Sequence, residues 1–220
     1  MNLPVLAQSP KWIAIDKPAG VSVHNEANDV LHLLHRQLSL PLENLHLVHR
    51  LDKETSGVLL VAKDATTAAK LAEQFQNHQT EKTYYAVLRG SLPVSPDWLE
   101  WNQPLSDKAE GRKNPQGMSK DRVPAQTRYR ITEANKYFSL AEVRLLTGRQ
   151  HQIRKHTALA KHAILGDSRY GDPKYNERMA GIYQTSRMFL HAAKLVISFE
   201  GASLTFEAPL PEEFLKLVHQ

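Results

Sequence analysis

The feature that most constrains this chain is the run Gly57-Val58-Leu59-Leu60-Val61-Ala62, six residues without a polar side chain. A compact apolar run of that length suits a buried strand rather than a half-exposed one, which would alternate. The segment before it, His49-Arg50-Leu51-Asp52-Lys53-Glu54-Thr55-Ser56, is polar and charged. A charged loop entering a buried strand is where a rigid sheet presents active groups.

Around that strand the pattern reads as α+β. Trp12 to Asp16 alternates and stops at Lys17-Pro18-Ala19-Gly20, a strand and its turn. Val30 to Gln37 fits a short helix. Asp64 caps a second helix, whose Ala68, Leu71, Ala72 and Phe75 share a face. Further strands are expected over Thr83–Leu88, Gln126–Ile131, Tyr137–Leu145, Leu195–Phe199 and Leu204–Glu207, with a last helix from Pro211. Thr147-Gly148-Arg149-Gln150 has the form of a capping box, predicting a helix from there toward Ala160 with Arg149 in its first turn. Asp107 to Pro124 shows neither period and reads as a long loop. Strands and helices do not alternate strictly, so a mixed, largely antiparallel central sheet with flanking helices is expected, in a single catalytic domain over residues 1–220.

Composition narrows the chemistry. With 220 residues the chain can bury a full core unaided, and with no cysteine it has no disulfide, thiolate metal site or cysteine nucleophile. It shows neither a basic-then-apolar leader nor a span of ~20 apolar residues, which predicts a soluble, cytoplasmic protein away from membranes. A net charge of +5 and a pI near 9.3 fit a polyanionic partner. Lys108, Arg112, Lys113, Lys120 and Arg122 concentrate in the long loop, where they are candidates for phosphate contacts.

Read alone, Asp52 fits a turn toward Thr55 as well as it fits an active carboxylate. Arg50 fits a surface ion pair with Glu54. Arg149 at a helix start invites an anion, yet simple exposure would cost only a few tenths of a kcal/mol. Arg154 suits a bidentate pair with a carboxylate. Ile153 is equally an ordinary helix-core residue.

Taken in order, three motifs make the chain resemble the RluA-type pseudouridine synthases from about Trp12 to Pro209. These are His49-Arg50-Leu51-Asp52-x-x-Thr55-Ser56-Gly57, Lys82-x-Tyr84, and Thr147-Gly148-Arg149-x-His151-Gln152-Ile153-Arg154-x-His156. Lys17-Pro18-x-Gly20, Pro124-Ala125-Gln126-Thr127, Ile164-Leu165-Gly166-Asp167 and Leu190-His191-Ala192 agree in order. Asp16 departs from the family's common Asn, and Ala163 from its frequent Pro, which bears on local turns only. The small N-terminal RNA-binding domain of many relatives has no counterpart in this sequence, so recognition is expected to rest on the catalytic domain.

The resemblance implies isomerisation of uridine in structured RNA, transfer RNA or large-subunit ribosomal RNA, in a central RNA-binding cleft, by a monomer needing no cofactor and no metal. Asp52 would be the catalytic carboxylate, Arg154 its cationic partner, and Tyr84 the ring that stacks on the uracil. Ile153 would wall the base pocket and Arg50 would stand near the vacated base position. His49, Arg149, Lys108, Arg112 and Lys113 complete the expected substrate contacts.

Competing classes are weaker. The eleven histidines include no His-Glu-x-x-His, and His151 and His156 are five apart, off a shared helical face. Glu54 lies too near Asp52 in sequence to be assigned as the opposed acid of a glycosidase. A non-catalytic RNA-binding module would share the basic charge but would not require Asp52, Tyr84 and Arg154 together.

Overall fold

The structure, a computed structural model, describes residues 1–219. In chain order its elements are β1 (Val5–Gln8), β2 (Trp12–Lys17), α1 (Val30–Leu38), β3 (His46–Leu47), β4 (Ser56–Ala62), α2 (Ala65–Gln76), β5 (Glu81–Arg89), β6 (Leu99–Trp101), β7 (Leu105–Ser106), β8 (Arg122–Val123), β9 (Thr127–Ala134), β10 (Phe138–Leu145), α3 (Gln152–Leu159), α4 (Pro173–Tyr183), β11 (Leu190–Phe199), β12 (Ala202–Glu207) and α5 (Glu212–Val218). The class is α+β, and within each unit the strand pairs are antiparallel except where β4 meets β11. The chain divides into two compact units, one of Met1–Lys82 with His191–Pro209 and one of Thr83–Leu190 with Leu210–Gln220.

The first unit is organised by β4, all seven of whose residues are buried. β2 runs antiparallel along one edge, from Trp12 opposite Ala62 to Lys17 opposite Gly57. The other edge is shared: β3 pairs with Val61 and Ala62, and β11 pairs in parallel with Ser56 and Gly57. α2 covers the sheet, capped by Asp64, whose carboxylate accepts from the Thr67 amide and hydroxyl at 2.7 Å each. Its expected face is the one that packs: Leu71 lies in the core with Trp12, Leu60 and Phe206, and Ala68 and Phe75 lean on the same cluster. Burying a leucine this fully contributes roughly 1.5–3 kcal/mol.

The second unit places β5, β10, β9 and β6 side by side, all antiparallel. A bulge between Leu140 and Ala141 shifts the β10–β9 register. α5 packs its Phe214 on Phe189, ring centroids 5.1 Å apart. The long loop is pinned at its base by the short β7–β8 ladder, with a single 3₁₀ turn at Ser119–Asp121.

Three expectations need correction. α3 starts at Gln152, not Thr147, because Gln152 is the partner the cap uses: its Oε1 accepts from the Thr147 hydroxyl at 2.7 Å and the Arg149 amide at 3.0 Å. Arg149 therefore precedes the helix, and the first-turn dipole argument does not apply to it. α4 was not expected, since Met179 is its one buried residue and an apolar period is absent, although Asp172-Pro173 is an N-cap followed by proline at the first helical position. β1 and β6 are short edge strands with mostly exposed residues, which leaves little alternation to read.

Gly57 is the tightest point of the first unit. Its φ is +111°, and a Cβ there would lie 2.2 Å from the carbonyl oxygen of Ala192 in the paired strand. Gly57→Ala should therefore destabilise by about 2–5 kcal/mol, combining the left-handed penalty with overpacking. Urea unfolding of the variant measures this, and a loss below ~1 kcal/mol would show that β4 and β11 can separate without penalty.

Candidate active site

The motif around Asp52 occupies the return from β3 to β4. The Thr55 amide donates to the Asp52 carbonyl at 3.1 Å, closing a four-residue turn on which the Asp52 side chain is half-buried. Next to it the Lys53 carbonyl is gripped twice, by the Lys17 ammonium at 3.1 Å and the Gly20 amide at 2.8 Å. Lys17 is fully buried and also donates to the carbonyls of Pro18 and Val21, both at 2.9 Å. An ammonium taken out of water needs such acceptors, and here its need ties the Lys-Pro turn to the turn that carries Asp52.

His49 closes the opposite side. Between the end of β3 and the pairing with β11, the Leu60 amide is met by the His49 imidazole, whose Nε2 accepts from it at 2.9 Å. Its ring stacks on Phe75 with centroids 4.5 Å apart, and the Lys82 ammonium lies 5.9 Å from the same phenyl ring. Desolvation, aided by the Lys82 charge, pushes the His49 pKa from its ordinary 6.5 down to about 3, so the imidazole is neutral and Nδ1 carries its proton. The expectation of a substrate-touching His49 thus meets a ring committed by one nitrogen and one face to the fold. Ser56 hydrogen-bonds the buried His191 at Nδ1, 2.8 Å, and Leu51 and Thr55 are buried. Arg50 is exposed and, among the described residues, makes no ion pair with Glu54.

The other motifs lie in the second unit. Tyr84 is 8% exposed on β5, opposite Val143 of β10. On α3, Gln152 through Thr157 are all buried. Ile153 is 4% exposed, and Arg154, at 3%, makes a bidentate pair with Asp167: Nε to one carboxylate oxygen at 2.8 Å and a terminal nitrogen to the other at 2.9 Å. Asp167 is itself fully buried, accepts from the Arg169 and Tyr170 amides, and directs Tyr170 onto the Arg154 guanidinium, 5.4 Å from the ring centroid. The Tyr170 hydroxyl in turn meets His151 Nδ1 at 3.0 Å.

Sequence reasoning missed Asp167 as a partner of Arg154. Its signal was Leu165-Gly166-Asp167, where φ is +78° at Gly166 and a Cβ would meet the Arg187 carbonyl at 2.0 Å. No spacing rule links that turn to a helix residue thirteen positions earlier.

The remaining expected contacts are more loosely held. Arg149 donates to the Pro124 carbonyl at 3.1 Å; Lys108 pairs with Asp121 at 3.0 Å and Arg112 with Asp172 at 2.9 Å, both at the surface; Lys113 is exposed. His156 is buried against Thr127 and the Gln103 carbonyl, and desolvation lowers its pKa. Among the described residues no group of three or more His, Asp or Glu side chains is placed to hold a metal ion, and no helix is long and apolar enough to cross a membrane.

The first unit thus carries a half-buried aspartate on a clamped turn, and the second a buried arginine fixed by a second aspartate. Residues 11–159 match the family described as RNA pseudouridylate synthase. The chain is 33% identical over 242 residues to tRNA pseudouridine synthase C of Salmonella typhi, covering 99% of this chain and 89% of that protein. It is 36% identical to ribosomal large subunit pseudouridine synthase C of Pasteurella multocida, covering 97% of this chain and 66% of the relative. Human RNA Pseudouridylate Synthase Domain Containing 4 superposes with a TM-score of 0.78 at 28% identity, over 98% of this chain and 92% of that one. The chain belongs to the RNA pseudouridylate synthase family and is an isomerase.

Two predictions follow from the buried groups. Arg154→Met leaves the Asp167 carboxylate buried without its guanidinium and should cost about 3–5 kcal/mol; adding Asp167→Asn should recover part of that loss, so that the two changes are strongly non-additive in urea unfolding. Additive losses would mean that the pair contributes no coupling. His49 gives a pH signature of definite sign. The unfolded chain takes up a proton at about 6.5 that the folded ring refuses until about 3. Its stabilisation is therefore complete above pH 6.5 and is lost as pH falls toward 3, at up to about 1.4 kcal/mol per unit. His49→Gln keeps an acceptor for Leu60 and should flatten stability against pH in that window; parallel curves would locate the acid sensitivity elsewhere.

Proposed function

We propose that this enzyme converts uridine to pseudouridine in structured RNA with Asp52 as its catalytic carboxylate. The observation that carries the reading is the clamped turn: Lys17, Gly20 and Thr55 fix the backbone on either side of Asp52, as a reacting group held to a fraction of an ångström requires. In the reaction the C1′–N1 bond breaks, the uracil turns, and a C1′–C5 bond forms. C5 gives up its hydrogen as a proton and N1 gains one, so neither an oxidant nor a leaving group is involved. A carboxylate is suited to attack at C1′ or C6, or to deprotonation at the sugar.

Tyr84 stacks on the uracil and Ile153 supplies an apolar wall. Arg154, held in position by Asp167, acts as the cation for Asp52. Arg50, which makes no ion pair among the described residues, stands in for the extruded base. Flipping a nucleotide out of its stack costs a few kcal/mol, which phosphate contacts from Arg149, Lys108, Arg112 and Lys113 offset. For Lys108 and Arg112 this means exchanging a surface carboxylate for a phosphate, a near-neutral exchange, since exposed pairs contribute about 0–1 kcal/mol. The named relatives act on transfer RNA and on large-subunit ribosomal RNA, and transfer RNA is the substrate we assign. Both units serve one catalytic domain, working as a cytoplasmic monomer.

Asp52→Asn should abolish tritium release from RNA carrying 5-tritiated uridine, while RNA affinity and melting temperature stay near wild type. Turnover within about tenfold of wild type would remove Asp52 from the chemistry.

A further inference from the structure

Beside α3 and α4 the second unit has a cavity of about 210 Å³, which of the residues assigned above includes Arg112 alone. That volume is space for a phosphate with part of its solvation. Three cations line it, Arg89, Arg112 and Lys161, against one carboxylate, Asp172. That carboxylate is already engaged, pairing with Arg112 at 2.9 Å and capping α4 by accepting from the Tyr175 amide at 3.0 Å. Among the described residues neither Arg89 nor Lys161 has an acidic partner.

Both residues border the cavity, Arg89 through a ring contact and Lys161 through its backbone position. The Arg89 guanidinium lies over the Tyr175 ring, 4.1 Å from its centroid, a cation–π contact that holds it beside the cavity. Lys161 ends α3: the His162 amide donates to the Thr157 carbonyl and the Lys161 amide to the Ala158 carbonyl, both at 2.9–3.0 Å, the Schellman arrangement. The residue in its left-handed position is ordinarily glycine, yet here it is Lys161, with φ of +65°. A lysine at that position costs the fold about 1–2 kcal/mol that glycine would not. The same hydrogen bonds satisfy the helix-end carbonyls that would otherwise oppose an anion. The first turn of α4, an eleven-residue helix, borders the cavity and adds the positive end of its dipole.

We propose that this cavity binds a phosphodiester of the RNA substrate outside the target nucleotide, with Arg89 and Lys161 as its principal donors and Arg112 joining by leaving Asp172. The proposal rests on the reading of the enzyme as acting on structured RNA. Of the five cations in the long loop, only Arg112 reaches this cavity, so the loop contributes through one anchored residue. Tyr170 has a place in both settings: it lines the cavity and packs on Arg154, so a phosphate held here lies one side chain from the buried arginine.

The test uses Arg89→Met, Lys161→Gly and the double variant of the full chain, with an unmodified transfer RNA transcript as probe. Affinity is measured by filter binding from about 50 to about 200 mM salt. Each variant should weaken binding and reduce the slope of log K against log salt by about 0.7–0.9, the double by about twice that. Lys161→Gly separates binding from folding, because it should bind RNA less well while melting at the same temperature or higher. An unchanged slope in the double variant, or a fall in affinity that tracks a fall in melting temperature, would overturn the proposal. Titration with inorganic phosphate covers the other source of the same chemistry: phosphate binding lost in the double variant with the RNA slope intact also overturns the assignment to RNA. Tritium release by the wild type is recorded in parallel. Its absence alongside altered slopes would sink the catalytic reading and leave this one standing, and the reverse pattern would do the opposite.

Discussion

Desolvation of α3 is the constraint to which the second unit is built. Five of its six consecutive buried residues, Gln152, Arg154, Lys155, His156 and Thr157, carry polar side chains. Each buried polar atom left without a partner costs about 1–3 kcal/mol, and a charge costs more. The partners come from distant segments: Gln126 and Thr127 for Gln152, Asp167 for Arg154, the Ser106 and Lys108 carbonyls for Lys155, Thr127 and the Gln103 carbonyl for His156. Residues 103–108, the start of β9 and the turn at Asp167 are therefore placed by the demands of one short helix. An apolar helix would pack more cheaply, but it would not hold a guanidinium in a fixed plane.

The first unit obeys the same rule with a different result. Lys17 is buried among backbone carbonyls, and His49 and His191 are neutral or hydrogen-bonded rings that complete gaps beside β4. Most of the signature around Asp52 thus serves the backbone. Leu51, Thr55, Ser56 and Gly57 seat the turn, and the half-buried carboxylate is carried on a segment with little freedom to move. In the role proposed for Asp52 that rigidity would matter, since a reacting carboxylate displaced by an ångström loses its alignment with the substrate.

Charge is partitioned accordingly. Lys17, Arg154 and Lys155 are buried and spend their donors inside the protein. Lys108 and Arg112 lie at the surface but are paired. A net charge of +5 consequently says little about which side chains face a polyanion. Arg89 and Lys161, which drew no attention as isolated residues in the sequence, line a cavity and, among the described residues, have no acidic partner.

The sequence by itself determined the buried strand at Gly57–Ala62, the Asp64-capped helix with its Leu71 face, the antiparallel α+β class and the family, because these are written in local periodicity, caps and contiguous motifs. It placed Asp52, Tyr84 and Arg154 on their elements for the same reason. It misplaced the start of α3, since Gln150 and Gln152 are equally eligible caps until side-chain geometry chooses between them. Only the tertiary structure decided that Asp167 fixes Arg154, that Lys17 holds the carbonyl beside Asp52, that His49 is neutral, and that Arg89 and Lys161 share a cavity. Those outcomes depend on which groups lose water together, and desolvation is a property of packing in three dimensions, with no period or spacing along the chain to announce it.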